Sequence, residues 1–186
     1  TKDLAVSMLP PRPDQGHKGQ FGSTLIIGGS QQYLGAVTLA TEAATRSGSG
    51  LTFVTTPEPA YRVIGGHVPE AIYQSLPVSQ NGDINPSEAS SIALDVLKNA
   101  TSAVIGPGLG KNRNTFEFVT SFLSQVDDDI PVVIDADALN ILAESHQWWD
   151  KLKIPCVLTP HPGEMGRLMG ISSLDVQQNR VAVALE

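Results

Sequence analysis

The chain has 186 residues, of which 41% are hydrophobic and 17% charged, and this composition is typical of a folded globular protein rather than a disordered one. Its formal net charge of −7 at pH 7 argues against non-specific nucleic-acid binding, which requires a basic surface. No apolar run approaches the roughly 20 residues that cross a bilayer, and the single cysteine, Cys156, excludes a disulfide within the chain. The polar amino-terminal stretch lacks the core of a signal peptide, so we expect a cytoplasmic protein without nucleic-acid or membrane partners.

Strand-like apolar runs alternate with helix-like stretches along the chain. In chain order the runs are residues 24–27, 51–55, 71–73, 103–105, 131–134 and 155–158, and the helix-like stretches are 34–47, 86–98, 114–126, 138–144, 163–169 and 173–186. The runs show little polar alternation, as is usual for parallel strands that are buried on both faces. Cys156 lies in the last run, and we therefore expect it to be buried. The alternation predicts one α/β domain over residues 1–186, in which helices flank a mainly parallel sheet.

Most of the predicted strands end in segments that are rich in Gly, Asp or His. Ligands of such sheets bind beyond the carboxyl ends of the strands, so we expect these segments to form a common site. They are Gly28-Gly29-Ser30, Thr55-Thr56-Pro57, Gly106-Pro107-Gly108-Leu109-Gly110, Asp135-Ala136-Asp137 and Thr159-Pro160-His161-Pro162-Gly163-Glu164.

Two of these segments are glycine motifs, and each has two interpretations. Gly28-Gly29-Ser30 either directs backbone N–H groups at an anion or forms a tight structural turn. The segment from Gly106 to Lys111 is neither a P-loop nor a dinucleotide fingerprint, because the spacing of its glycines differs from both patterns. It is either a loop that contacts a ligand or a plain turn.

The acidic segment and the histidine segment contain the charged candidates. Asp137 is interpreted as the N-cap of the following helix, and this leaves Asp135 nearest the cleft. From that position a carboxylate can bind a magnesium-bound phosphate through water. Pro160 and Pro162 restrict the backbone on both sides of His161 and hold its imidazole on a stiff corner. This placement favours a ligand contact for His161 over a purely structural role.

Several short motifs follow one another in a fixed order between Pro11 and about Gly170. They are His17-Lys18-Gly19-x-Phe21-Gly22, Ile27-Gly28-Gly29-Ser30 with Gly35-Ala36, Ser47-Gly48-Ser49-Gly50-Leu51, Thr56-Pro57-Glu58, Ile105 to Gly110, Asp135 to Asn140, and Leu158 to Glu164. Together they resemble the ADP/ATP-dependent NAD(P)H-hydrate dehydratase family, a branch of the ribokinase-like superfamily. This family includes the C-terminal domain of bifunctional NAD(P)H-hydrate repair enzymes.

The resemblance implies a hydro-lyase that repairs a damaged cofactor. It implies that (S)-NAD(P)H-hydrate is dehydrated to NAD(P)H at the expense of ADP or ATP, with Mg²⁺, by phosphorylation of the hydrate hydroxyl and elimination of phosphate. It also implies a homo-oligomer and an epimerase domain that is fused to this one or acts as its partner. On these grounds we expect substrate contacts at Gly35, Ala36, Gly108 and His161. Residues near the nucleotide phosphates are expected at Gly28, Gly29, Ser30, Asp135 and Asn140, with Asp135 as the candidate for Mg²⁺.

The family pattern is not complete in this sequence. The family continues with a Lys-Gly string and a Gly-Gly-x-Gly-Asp string whose Asp acts as general base, and neither string is present. The only Gly-Asp pair, Gly82-Asp83, is preceded by Asn81 and is interpreted as a turn. We therefore expect a ribokinase-like layered fold that lacks its C-terminal third, with the general base beyond Glu186. A fragment, a missing third on another chain and a naturally short protein all remain open, as does whether this chain alone is active.

Two other functions fit parts of the same pattern. One is a ribokinase-like kinase that phosphorylates a small alcohol, and the other is a truncated nucleotide-binding module without catalysis. The ordered set of motifs favours the dehydratase over both.

Overall fold

The computed structural model describes residues 1–9, 11–145 and 147–186. The strands are β1 (Ser23–Ile27), β2 (Leu51–Pro57), β3 (Ile72–Leu76), β4 (Ser102–Ile105), β5 (Val132–Ile134) and β6 (Cys156–Leu158). The helices are α1 (Lys2–Met8), α2 (Gly35–Ser47), α3 (Glu58–His67), α4 (Pro86–Leu97), α5 (Arg113–Leu123), α6 (Ala136–Glu144), α7 (Trp148–Lys151), α8 (Pro162–Met169), α9 (Ser173–Gln178) and α10 (Arg180–Leu185), and Lys18–Gln20 form a short 3₁₀ helix. Among the described residues, no helix has the length and apolar character needed to cross a membrane.

All six strands form one parallel sheet with the order β3-β2-β1-β4-β5-β6. The chain first adds strands on one side of β1 and then returns to add β4, β5 and β6 on the other side. Ile27, the last residue of β1, is consequently paired with Thr55 of β2 and with Ile105 of β4. This order confirms the predicted α/β class, and it creates a switch point between β1 and β4 where the two following loops diverge.

One face of the sheet carries the larger core. Leu25, Ile27, Ile105 and Ile134 are fully buried there, and they pack in one cluster with side chains of α4, α5, α6 and α8. Successive residues of a strand face opposite sides of the sheet, so Ile26 contributes to a separate, smaller cluster with side chains of α2 and α3. The two clusters hold β1 from both sides, as is expected for a central strand without polar alternation.

The second face is less completely covered towards β6. Val104, Val133 and Val157 are aligned across β4, β5 and β6 on that face. Val104 and Val133 are half-buried, whereas Val157 is 59% exposed. They line an apolar groove of about 290 Å³ that continues to Cys156.

The cysteine prediction is wrong, because Cys156 is exposed. It is the first residue of β6, an edge strand whose side chains are only partly covered. Neighbouring residues nevertheless shield the sulfur partly from water, and this partial burial raises the pKa of the Cys156 thiol. An apolar sequence run cannot distinguish a central strand from an edge strand, and this is why the sequence was misleading.

Helix α3 was not predicted, and the predicted helix over residues 173–186 is divided into two. Helix α3 includes Gly65 and Gly66, which weaken helix propensity, but Ala60 and Ile64 are fully buried against the sheet. Tertiary packing supplies most of the stability of such a short helix. Asn179 leaves the helical conformation, with φ −132° and ψ 37°, and separates α9 from α10. Helices α1 and α7 were also not predicted.

Gly106 occupies a position that only glycine can fill. Its φ is +126°, which L side chains rarely adopt, and a Cβ atom there would collide with the carbonyl oxygen of Asp135. Its N–H donates to the carbonyl oxygen of Ile27 at 3.1 Å, and the N–H of Asp135 donates to the carbonyl oxygen of Ile105 at 3.0 Å. The ends of β1, β4 and β5 therefore meet at this glycine.

We predict that Gly106→Ala lowers the free energy of unfolding by about 1–3 kcal/mol or more, because the new methyl group adds a steric clash to a strained backbone. The matched control is Gly66→Ala in α3, where no heavy atom lies within 4 Å of the added Cβ. That change should stabilise the protein by about 0.5–1 kcal/mol, since alanine favours the helix. Urea unfolding followed by circular dichroism measures both. Equal effects of the two substitutions would contradict the packing described for Gly106.

Candidate functional site

A cavity of about 810 Å³ opens at the carboxyl ends of β1 and β4, which is the switch point of the sheet. One wall is the segment after β1, from Ser30 to Ala36, and the opposite wall is the segment after β4, from Gly108 to Asn112. A turn at Asn81, Gly82 and Asp83 and the side of Asp137 complete the lining. The volume lies within the usual range of roughly 300–1,000 Å³ for small-molecule sites.

The first turn of α2 provides a positively polarised corner of this cavity. The helix begins at Gly35 after Leu34, and no side chain caps its first N–H groups. Gly35 and Ala36 both line the cavity and are exposed. Because the first N–H groups of a helix have no partner within the helix, they are suited to an anionic or strongly polar ligand group.

The glycine loop after β4 is fixed in shape by its neighbours. Gly108 has φ +70°, and a Cβ atom there would lie 2.8 Å from the carbonyl oxygen of Tyr33. Gly110 has φ +80°, and its N–H donates to Oδ2 of Asp137 at 2.9 Å. The loop is thus held against the segment after β1 on one side and against α6 on the other.

The segment after β1 forms a short turn that presents an aromatic ring to the cavity. The N–H of Tyr33 donates to Oγ of Ser30 at 3.2 Å, and the N–H of Ser30 donates to the carbonyl oxygen of Tyr33 at 3.4 Å. The Tyr33 side chain is 56% exposed and belongs to the lining. Ser30 therefore shapes the turn that positions Tyr33.

The structure brings four of the predicted site residues together in the cavity, namely Ser30, Gly35, Ala36 and Gly108. Gly28 and Gly29 lie beneath it and are buried. The N–H of Gly28 donates to the carbonyl oxygen of Thr55 at 3.2 Å, and the N–H of Gly29 donates to that of Pro107 at 2.8 Å. Both amides are thus used inside the protein, so of the two interpretations the structural turn describes these glycines.

The roles expected for Asp135 and Asp137 are exchanged in the structure. Asp135 is the N-cap residue of α6, although its side chain makes no capping bond, and its Oδ1 accepts a hydrogen bond from Oγ1 of Thr159 at 2.6 Å. Asp137, in the first turn of α6, lines the cavity. The reason lies in Ala136, whose φ of +50° turns the chain so that the helix begins one residue after Asp135.

Asn140 and His161 lie outside the cavity lining. Oδ1 of Asn140 accepts from Nη1 of Arg167 at 2.7 Å, and Nδ2 of Asn140 donates to the carbonyl oxygen of Ala136 at 3.2 Å, so this side chain joins α6 to α8. His161 is the N-cap of α8. The stiff corner expected for it is present, but the imidazole is held by the helix that follows.

The capping arrangement of His161 is reciprocal. Its Nδ1 accepts from the N–H groups of Gly163 at 3.0 Å and Glu164 at 3.4 Å, while the N–H of His161 donates to Oε2 of Glu164 at 2.9 Å. Nε2 lies 3.2 Å from Oε1 of Glu164, and the His161 side chain is 63% exposed.

Several lining residues lie outside the segments that were expected to form the site. They are Gln31, Gln32, Tyr33, Leu34, Asn81, Gly82, Asp83 and Asn112. The turn predicted at Gly82-Asp83 is present, with φ +82° at Gly82, but its place in the cavity wall depends on a long-range bond. Nδ2 of Asn112 donates to Oδ1 of Asp83 at 2.7 Å. No local sequence pattern could have indicated that contact.

Comparison with known proteins identifies relatives over almost the whole chain. A family model described as NAD(P)H-hydrate dehydratase matches residues 24–186. The bifunctional NAD(P)H-hydrate repair enzyme Nnr of Moorella thermoacetica is 38% identical over 96% of this chain and 33% of its own length. The ADP-dependent (S)-NAD(P)H-hydrate dehydratase of Streptococcus thermophilus is 31% identical over 99% of this chain and 62% of its own length. The chain thus spans about a third of the first relative and about three fifths of the second.

Solved structures show the same architecture. A ribokinase-like superfamily protein from Enterococcus faecalis matches 99% of this chain and 60% of its own, with 28% identity and a TM-score of 0.79. The ADP/ATP-dependent NAD(P)H-hydrate dehydratase of Bacillus subtilis, crystallised with ATP and Mg²⁺, matches 97% of this chain and 58% of its own, with 31% identity and a TM-score of 0.75. These matches confirm the predicted ribokinase-like layered fold.

We predict that His161→Ala lowers the free energy of unfolding by about 0.5–2 kcal/mol, because the first N–H groups of α8 lose their cap. His161→Asn should retain most of the stability, since an asparagine oxygen can accept the same hydrogen bonds. Urea unfolding of the three proteins measures the difference. An Asn variant that is as unstable as the Ala variant would contradict the capping role.

Proposed function

Because the chain belongs to the NAD(P)H-hydrate dehydratase family, we propose that the protein carrying it converts (S)-NAD(P)H-hydrate to NAD(P)H at the expense of ADP or ATP. In this proposal the chain supplies the cavity that binds the hydrated nicotinamide. The observation that carries the proposal is that Gly35, Ala36 and Gly108, three of the four residues expected to contact the hydrate, line one cavity at the switch point.

The chemistry explains why a nucleotide is consumed. Hydroxide is a poor leaving group, whereas phosphate is a good one, so transfer of a phosphoryl group to the hydrate hydroxyl prepares the elimination. The protein then has to position the two reactants and to stabilise the charge on the transferred group. The uncapped N–H groups at the start of α2 and the backbone of the glycine loop are preorganised polar groups of the kind that this task requires.

The nucleotide side of the proposal involves fewer residues than the sequence suggested. Ser30 lines the cavity and remains the candidate nearest to the phosphates, while Gly28 and Gly29 support it from beneath through their backbone bonds. Asn140 bridges α6 and α8, which argues against a direct phosphate contact. His161 is retained as a contact for the part of the hydrate that extends beyond the cavity.

The residues present fit a magnesium ion that arrives with the nucleotide. Among the described residues, no group of three or more His, Cys, Asp or Glu side chains could hold a metal ion. Magnesium that is bound mainly by phosphates and water needs only one or two carboxylates. Asp135 is the N-cap residue of α6 and lies outside the cavity lining, but its Oδ1 is oriented by Thr159, and it is the carboxylate that we propose for this role. When bound, the ion neutralises phosphate charge.

We also propose a cytoplasmic homo-oligomer that acts with an epimerase domain, fused or separate. The bifunctional names of several relatives support the second activity.

The proposal is tested with the natural gene product, (S)-NADPH-hydrate and Mg²⁺. We expect the absorbance of NADPH to return when ADP or ATP is added, and not when the nucleotide is omitted. Phosphorylation of small alcohols with no effect on the hydrate would instead indicate a kinase. Binding of hydrate without turnover at high protein concentration would indicate a non-catalytic module.

A negative charge introduced at the start of α2 should have opposite effects on the stability of the chain and on binding of the hydrate. We predict that Ala36→Asp stabilises the chain by about 0.3–1 kcal/mol through the helix dipole, and weakens binding of NADPH-hydrate about 10-fold or more by repulsion and loss of space. The control is Ser87→Asp, at the equivalent position of α4, which should leave binding unchanged and give a smaller stabilisation because Glu88 already occupies that first turn. Thermal unfolding and calorimetric titration measure the two effects. Unchanged binding in Ala36→Asp would place the hydrate elsewhere.

A further inference from the structure

The corner between β5 and α6 is held in an unusual backbone conformation. Ala136 has φ +50°, and among the described residues it is one of two non-glycine residues with a positive φ, the other being Gln147. Such conformations persist only where the surrounding structure imposes them, and they are concentrated at ligand sites. Here the carbonyl oxygen of Asp135 packs against Gly106, so the corner is fixed by the end of β4.

The effect of this corner is to place the Asp137 carboxylate beside the glycine loop. Its Oδ2 accepts the hydrogen bond from the Gly110 N–H at 2.9 Å, and its side chain is partly exposed to the cavity. Gly110 has φ +80° and lies in the loop between β4 and α5. The carboxylate is therefore a strut between α6 and the wall of the cavity.

The second oxygen of Asp137 is available to a ligand. Within the described part of the chain, the hydrogen bond that Asp137 accepts comes from the Gly110 amide and ends on Oδ2. An ionised carboxylate is only an acceptor, so its ligand partner must be an O–H or N–H group, and phosphate oxygens are repelled.

We propose that Asp137 is a positioning and specificity residue of this cavity. Its Oδ2 fixes Gly110, and its Oδ1 accepts a hydrogen bond from a ribose hydroxyl or the carboxamide N–H of the hydrated nicotinamide riboside. The negative charge directs the phosphates of the same ligand away from α6. This inference rests on the proposed function, since it names the part of the substrate that meets the carboxylate.

The test uses the natural gene product, (S)-NADPH-hydrate as the probe, and the variants Asp137→Asn and Asp137→Ala. Asparagine can still accept the Gly110 hydrogen bond but lacks the charge, whereas alanine removes both. We expect Asp137→Asn to keep the Gly110 amide protected from hydrogen exchange and to weaken hydrate binding about 10- to 100-fold. Asp137→Ala should lose the protection as well and bind more weakly still.

A matched control is Asp95→Asn, which removes the negative charge of a carboxylate on the exposed surface of α4, where it pairs with Lys98 at 3.0 Å. It should change neither hydrate binding nor Gly110 exchange. Wild-type affinity in Asp137→Asn would overturn the inference and leave the proposed function intact. Absence of hydrate binding by the wild-type gene product would instead overturn the proposed function. Full protection of the Gly110 amide in Asp137→Ala would contradict the role of Asp137 in holding the glycine loop. The Asn variant keeps the hydrogen bond to Gly110, so the binding test does not depend on how well the Ala variant folds.

Discussion

The candidate site depends on the direct backbone contact between the segments that follow β1 and β4. The N–H of Gly29 donates to the carbonyl oxygen of Pro107 at 2.8 Å, and the N–H of Gly106 donates to that of Ile27 at 3.1 Å. The two segments lie closer than side chains would allow, because a Cβ atom at Gly28 would lie 2.5 Å from the carbonyl oxygen of Pro107 and one at Gly108 would lie 2.8 Å from that of Tyr33. Beyond this contact the segments separate, because the strand order reverses between β1 and β4. The cavity is the space that this divergence opens.

A second set of contacts carries the same constraint from β4 to β5. The carbonyl oxygen of Asp135 packs on Gly106, and the chain then passes through the left-handed conformation of Ala136 before α6 begins. As a result, Asp137 rather than Asp135 reaches the glycine loop. The site is therefore built mainly from backbone geometry, and its few charged side chains are placed by the corners of three adjacent strands.

The sequence was sufficient for the fold class and for part of the site, because both depend on local patterns. Apolar runs gave the strands, the segments at the strand ends gave Gly108, and the family resemblance gave Gly35 and Ala36. The features that could not be predicted depend on contacts between residues that are distant in the sequence. The exchange of Asp135 and Asp137 follows from one φ angle that alanine rarely adopts. The wall at Asn81 to Asp83 follows from the bond between Asp83 and Asn112, and α3 follows from the burial of Ala60 and Ile64.

The exposed position of Cys156 makes the chain convenient for spectroscopy. It is the only cysteine in the sequence, and it lies at the amino end of β6, whereas the cavity lies at the carboxyl ends of β1 and β4. A fluorophore or spin label attached to this sulfur would occupy a single, defined place on the edge of the sheet without entering the cavity. Since the pKa of the thiol is raised by burial, coupling is faster in mildly alkaline buffer, where more of the reactive thiolate is present.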